Sequence, residues 1–173
     1  MDRYNNGMSD TVDYRAARHQ LGLTQAEVAR LAGVTQPAIA AYEAGRRRPT
    51  GPAELVLKGM VAALRGRTVA AVDGRGRPKK LPKGRWAPVV GSDATIRLPT
   101  RLDWTPRREP RRDLADDRIR AGAYAQVLDE GTAADIRFWI DPDALIELWP
   151  AVPVARSLRP HVEDLVARLR QAP

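Results

Sequence analysis

The sequence predicts a mainly α-helical chain, two helical parts around a basic middle, and three observations predict it. Cap signals and helix-period apolar spacing recur through residues 10–66 and again through 113–173. Charge is split along the chain: a formal net charge of +8 covers a stretch, residues 65–88, with eight Lys or Arg against one Asp, and another, residues 121–173, with five Arg against eight Asp or Glu. At 173 residues there is material for two small domains around separate patches of core. A basic middle and an acidic end suggest two kinds of partner.

Residues 1–9 are polar and expected to be a flexible N-terminus. Asp10 to Leu21 sets Val12, Ala16, Ala17 and Leu21 on one side with Arg15 and Arg18 opposite, and Gly22 closes a first helix. Thr24 followed by Glu27 is a capping box that starts a second helix through Ala32, and Gly33 ends it. Thr35 caps a third, Pro37 lies in its first turn and Gly45 is placed for a left-handed stop. Val28, Leu31, Val34, Ile39 and Tyr42 fall where they line one interior, leaving Gln25, Gln36, Ala38, Ala40 and Ala41 outward. Two short helices joined by a glycine-containing turn make a helix-turn-helix. Pro52 to Arg65 gives a fourth helix, with Leu55, Leu57, Val61 and Leu64 apolar, and Gly66 ends the domain.

On these residues the segment from about Asp10 to Arg65 resembles the phage-repressor (Cro/C1, or XRE) class of helix-turn-helix domain, through its LGLTQAEVARLAGV start, TQPAIAAYE helix and GRRRP exit. The resemblance implies a four- to five-helix repressor-type domain over residues 10–66 that binds an operator in double-stranded DNA. It puts Gln36, with Thr35 and Pro37 beside it, at the start of the recognition helix, where an amide pairs bidentately with adenine, a contact that discriminates by roughly 1–3 kcal/mol. Ala38 and Ala41 are placed to touch thymine methyls, and Gln25 matches the position that hydrogen-bonds a phosphate. Arg46, Arg47 and Arg48 suit phosphate neutralisation, which orients without reading sequence. So apolar a recognition helix offers few hydrogen bonds, leaving more to DNA shape or a second contact region.

Residues 67–112 form a basic linker with three open readings over its first part. Arg75-Gly76-Arg77-Pro78 with Lys79 and Lys80 matches the short core of an AT-hook, which lies in narrow minor grooves. Val69 to Val72, an Asp73-Gly74 turn and the returning lysines would make a small β-hairpin, although Pro78 and Pro82 favour an edge strand. A plain charged linker is the third. Further on, Ile96, Leu98, Leu102 and Trp104 suggest a segment lying extended, and RREPRR makes another basic bridge.

A small helical domain is expected over 113–173. Its first helix starts near Asp113 and buries Leu114, Ile119, Ala123, Tyr124, Val127 and Leu128 until Gly131. Thr132 caps TAADIRFWI, Asp141-Pro142 starts a helix that ends at Trp149-Pro150, and a last helix begins at Ser157 or Pro160 and runs to Leu169. This half, from LPTRLDW through AYAQVLDEGTAADIRFWIDPDALIELWP, resembles a region behind repressor-type domains in bacterial regulators encoded beside nucleotidyltransferase-like toxins, through residues such as Tyr124, Gly131, Asp141 and Trp149. The resemblance implies an antitoxin that represses its own operon and holds a cognate toxin, with Phe138, Trp139 and Trp149 as partner-binding anchors unless they are simply core.

Other classes fare poorly. Cysteine is absent and the histidines are His19 and His161, so neither thiolate metal sites nor nucleophile motifs arise, and Asp113, Asp116 and Asp117 read as helix-start charges. No catalysis, metal or cofactor is expected. No apolar run approaches membrane-spanning length, and a cytoplasmic, nucleoid-associated protein is expected. One short recognition helix covers few base pairs, so a homodimer on paired half-sites is expected. Alternatives are a stand-alone repressor whose second domain dimerises or senses an effector, and a non-specific architectural protein.

Overall fold

The computed structural model describes residues 13–103 and 111–172. The expectations for residues 1–9, Val12 and Trp104, and for most of the RREPRR bridge, lie outside the described residues. Helix α1 (Tyr14–Gln20) starts at Asp13, whose carboxylate accepts the Ala16 N–H at 2.8 Å. Helices α2 (Gln25–Leu31) and α3 (Gln36–Glu43) follow, then α4 (Gly51–Arg65). α4 buries Ala53, Val56, Leu57, Met60 and Ala63 against them. Leu55, expected in this core, is 75 % exposed. It stands two residues from Leu57, roughly 200° around the helix from the buried stripe.

The basic middle is folded, and of its three readings the hairpin is the one observed. Strand β1 (Thr68–Val72) pairs antiparallel with β2 (Pro78–Pro82), Val69 opposite Leu81 and Val72 opposite Pro78. Both prolines sit at the ends of β2, in a two-stranded sheet where each strand is an edge and a missing N–H breaks no second ladder. Asp73 nucleates the turn: its carboxylate accepts the amides of Arg75 and Arg77 at 2.8 and 2.9 Å, and Gly76 takes the left-handed conformation at φ 74°. A second ribbon pairs β3 (Thr95–Arg97) with β4 (Arg111–Asp113). Ile96, Leu98 and Leu102 are buried, as the alternation predicts.

The second half is helical: α5 (Asp117–Glu130), α6 (Ala133–Trp139), α7 (Pro142–Leu148) and α8 (Arg159–Gln171). Asp113 closes β4 rather than opening a helix; Asp116 is the cap, accepting the amides of Arg118 and Ile119 at 2.8 and 3.0 Å. The later start turns Ile119 outward, while Leu114 is buried from the intervening turn. α6 sits at the centre, against α4, α5 and β2. Its start is a capping box between Thr132 and Asp135, and of its seven residues Ala134 alone escapes full burial.

One hydrophobic cluster runs from Ala17 in α1 to Leu169 in α8, and arginines tie its parts by backbone carbonyls. Arg137, itself buried, donates to the Ala63 carbonyl at the end of α4 at 3.0 Å and to that of Arg67. Gly66 stands where a Cβ would meet the Arg137 guanidinium, so a larger residue there would displace that side chain. Arg101 reaches from the Leu21 carbonyl at 2.7 Å to the buried Asp135 carboxylate. Trp86 donates its indole N–H to Ile140 O at 2.8 Å. No helix among the described residues is long and apolar enough to cross a membrane.

Replacing Arg101 by Met should leave Asp135 charged, buried and short of a partner, costing about 3 kcal/mol in urea denaturation. A loss in the ordinary surface range would mean that water serves Asp135 as well.

Candidate nucleic-acid interface

The interface is built on α2 and α3. Thr24 and Glu27 satisfy the first orphan amides of α2: Thr24 N–H donates to the Glu27 carboxylate at 2.7 Å and Glu27 N–H to the Thr24 hydroxyl at 3.2 Å. At the other end Gly33 adopts φ 64°, a conformation that strains any β-carbon, and so turns the chain within three residues. Val34 N–H then returns to the Ala29 carbonyl at 2.9 Å. Thr35 holds the cap position of α3 in extended conformation, yet its hydroxyl makes no capping bond. Pro37 fits because the first helical turn lacks acceptors for its missing N–H.

α3 buries Ile39 and Tyr42 and exposes Thr35, Gln36 and Pro37. Ala40 and Ala41 are half-buried, and so is Ala38, whose methyl packs on the core instead of projecting freely. A shallow groove of about 550 Å³ joins His19, Thr24, Gln25 and Gln36. The structure thus brings Gln25 and Gln36 together at one opening.

What aims α3 is a carboxylate that sequence reasoning left without a role. Glu43, in the last turn of α3, has a side chain 0 % exposed. It accepts Arg18 Nε at 2.6 Å and Nη2 at 3.1 Å, and the Gln25 amide at 2.9 Å, with Arg15 at 3.7 Å. Arg18 also donates to the Leu23 carbonyl at 2.9 Å. Burial by itself raises the Glu43 carboxyl, but hydrogen bonds from Arg18 and Gln25 and the charges of Arg18 and Arg15 outweigh it and hold the group below its ordinary value. Arg18 was expected on the outer face of α1 and is buried instead. The signal was available: Tyr14, Ala17, Arg18 and Leu21 are spaced i, i+3, i+4, i+7, one helical face. Gln25 has one amide hydrogen engaged by Glu43 and the other without a partner among the described residues.

Arg46, Arg47 and Arg48 are exposed on the exit loop, and among the described residues none forms an ion pair. Arg47 lies over the Tyr42 ring at 5.9 Å. The basic hairpin differs. Arg77 is paired with Asp73 at 2.6 Å and Arg75 with Glu130 at 3.6 Å. Lys79 is turned inward and donates to the carbonyls of Asp129, at 3.2 Å, and Gly131; burial pushes its ammonium below the ordinary lysine value. Lys80 stays exposed. An extended minor-groove hook is therefore not what these residues form, and Lys79 is withdrawn from phosphate contact, because the carbonyl ends of α5 need its charge.

Two of the three expected partner anchors are also withdrawn. Phe138 and Trp139 are 0 % and 1 % exposed and pack edge to face at 4.9 Å, so they belong to this chain's own core. Trp149 remains half-exposed, with the Arg159 guanidinium over its ring at 5.0 Å.

Replacing Glu43 by Ala strands Arg18 in the interior and should cost roughly 3 kcal/mol or more in chemical denaturation. Because the folded-state pKa is depressed, the carboxylate's contribution is present above the ordinary value of 4.5 and lost as pH falls through the lowered value. The wild type should therefore lose stability on acidification below that point more steeply than Glu43→Gln, and parallel curves would assign the acid sensitivity elsewhere.

Residues 15–53, from α1 into the first turns of α4, match the helix-turn-helix family model. Comparisons with curated proteins and with solved structures give no match. With the geometry above, the matched segment is a helix-turn-helix of the Cro/C1 (XRE) type, and the chain that carries it is a DNA-binding transcriptional regulator.

Proposed function

We infer that this regulator is a sequence-specific repressor that binds paired operator half-sites as a homodimer. The observation that carries the reading is the solvent-facing start of α3: Thr35, Gln36 and Pro37 exposed, beside three arginines that pair with no carboxylate among the described residues. Gln36 contributes the directional hydrogen bonds to a base edge, Ala41 an apolar contact to a thymine methyl, and Gln25 with Arg46, Arg47 and Arg48 holds the phosphates. With so few polar groups on α3, much of the selectivity comes from DNA shape.

The second half supports an antitoxin role through its resemblance to regulators paired with nucleotidyltransferase-like toxins, and its acidic balance suits a partner with a basic nucleotide-binding cleft. Of the three expected anchors, Trp149 is the one left to meet such a partner. A second reading has its own observation: a cavity of about 990 Å³ lies between the β1–β2 hairpin and the α5–α6 junction, reaching Leu64 and Gly66 of the α4 end. Its size is that of a small-molecule site, which favours an effector-sensing repressor without a toxin.

Gln36→Ala should weaken operator binding roughly 10- to 100-fold while sparing random duplex; equal losses on both would remove Gln36 from base reading. Replacing Arg46, Arg47 and Arg48 together by Ala should lower affinity on both duplexes and reduce the salt slope by up to about 3. An unchanged slope would place those arginines off the DNA. Co-purification with the product of an adjacent nucleotidyltransferase-like gene, lost on Trp149→Ala while operator binding persists, is expected of the antitoxin; the absence of any complex would favour the effector reading.

A further inference from the structure

A second cavity, of about 420 Å³, opens between α2 and the β3–β4 ribbon, with Trp139 of α6 in its wall. Around it stand Arg30 from the last turn of α2, Arg97 from β3 and Arg111 from β4, against the one carboxylate of Glu27. Arg97 and Arg111 are direct cross-strand partners, so their side chains leave one face of the ribbon with Cβ atoms about 5 Å apart. Like charges so placed oppose strand pairing, and this ribbon has three residues in each strand with which to resist it.

Neighbouring arginines are neutralised by described carboxylates and these are not. Arg112 meets Asp103 at 2.7 Å and Arg120 meets Asp117 at 2.5 Å. Among the described residues no carboxylate forms an ion pair with Arg30, Arg97 or Arg111. Arg30 donates Nε alone, to the Ala26 carbonyl at 3.3 Å. Glu27 is engaged by the amide and hydroxyl of Thr24 in the capping box. The indole N–H of Trp139, a residue in the wall of the same cavity and 1 % exposed, is sealed from solvent and has no acceptor among the described residues, so it senses occupancy through the wall and not by touching the ligand.

We propose that this cavity is an anion site for a phosphate group, whose oxygens bridge Arg97 and Arg111 and take further hydrogen bonds from Arg30. Phosphate suits it better than a carboxylate, because three exposed arginines line one cavity and a tetrahedral, doubly charged acceptor answers more than one of them. The phosphate belongs either to a free phosphorylated small molecule or to the DNA backbone beside α2. Since α2 is half of the helix-turn-helix and Trp139 is core to the second half, occupancy fastens one to the other.

The test uses the full chain titrated with inorganic pyrophosphate, against sodium chloride at matched ionic strength, followed by nitrogen–proton correlation spectra and thermal midpoint. The indole resonance of Trp139, assigned through its contacts with Phe138, should move saturably, and the midpoint should rise beyond the chloride control. Arg97→Thr and Arg111→Thr should each weaken binding roughly tenfold or more, while in anion-free, low-salt buffer they melt no lower than the wild type. Arg156→Thr, an exposed arginine elsewhere, should titrate as the wild type. A wild type indifferent to pyrophosphate, an Arg97→Thr protein that titrates normally, or an Arg156→Thr protein that loses as much would each overturn the site. Duplex binding by Arg97→Thr then assigns the source: weakened binding means the DNA backbone, unchanged binding a free ligand.

Discussion

A helix of eight residues does not hold its own direction in water, and the rest of the reading surface depends on the carboxylate that holds α3 in place. Glu43 is dry and charged, and its charge is answered from two other helices, by Arg18 of α1 and Gln25 of α2. A buried ion pair adds little net stability over an apolar contact, since both ions lose their water. It does restrict geometry, because the two-pronged contact with the Arg18 guanidinium is satisfied over a narrow range of orientations. The same contact fixes Gln25, so Gln25 and the direction of α3 are set by one group.

The second half works on the first through carbonyls more than through charge pairs. Arg137 closes the end of α4, Lys79 the end of α5, and Arg101 carries a link from the end of α1 to the cap of α6. Helix ends present carbonyls with no partner inside the helix, and a long cation satisfies them while its stem packs on apolar surface. Together with a core continuous from Ala17 to Leu169, these links join the helix-turn-helix to the second half.

The basic middle shows where a linear reading of charge stops. Arg75, Arg77, Lys79 and Lys80 look alike along the chain, yet two are ion-paired, one is turned inside and one is exposed. The hairpin itself was foreseeable, because Asp73-Gly74 is local turn chemistry. The fate of Lys79 was not, because the carbonyls that draw it inward belong to residues 129 and 131. Phe138 and Trp139 failed as surface anchors for a related reason: a helix enclosed on nearly every side has no polar face for periodicity to reveal, and α6 is such a helix.

The sequence by itself determined what neighbours along the chain decide: the capping box at Thr24, the cap at Thr132, the turn at Gly33, the Asp141-Pro142 start, and the outward placement of Gln36 with the three arginines. Each is a contact within a few residues, so spacing is enough to reveal it. Tertiary structure alone decided that Glu43 meets Arg18, that Lys79 leaves the surface, that Asp113 joins a strand and that Arg97 faces Arg111. Those outcomes depend on which distant groups arrive together, and the free energy of a charge is set by that company and not by its place in the chain.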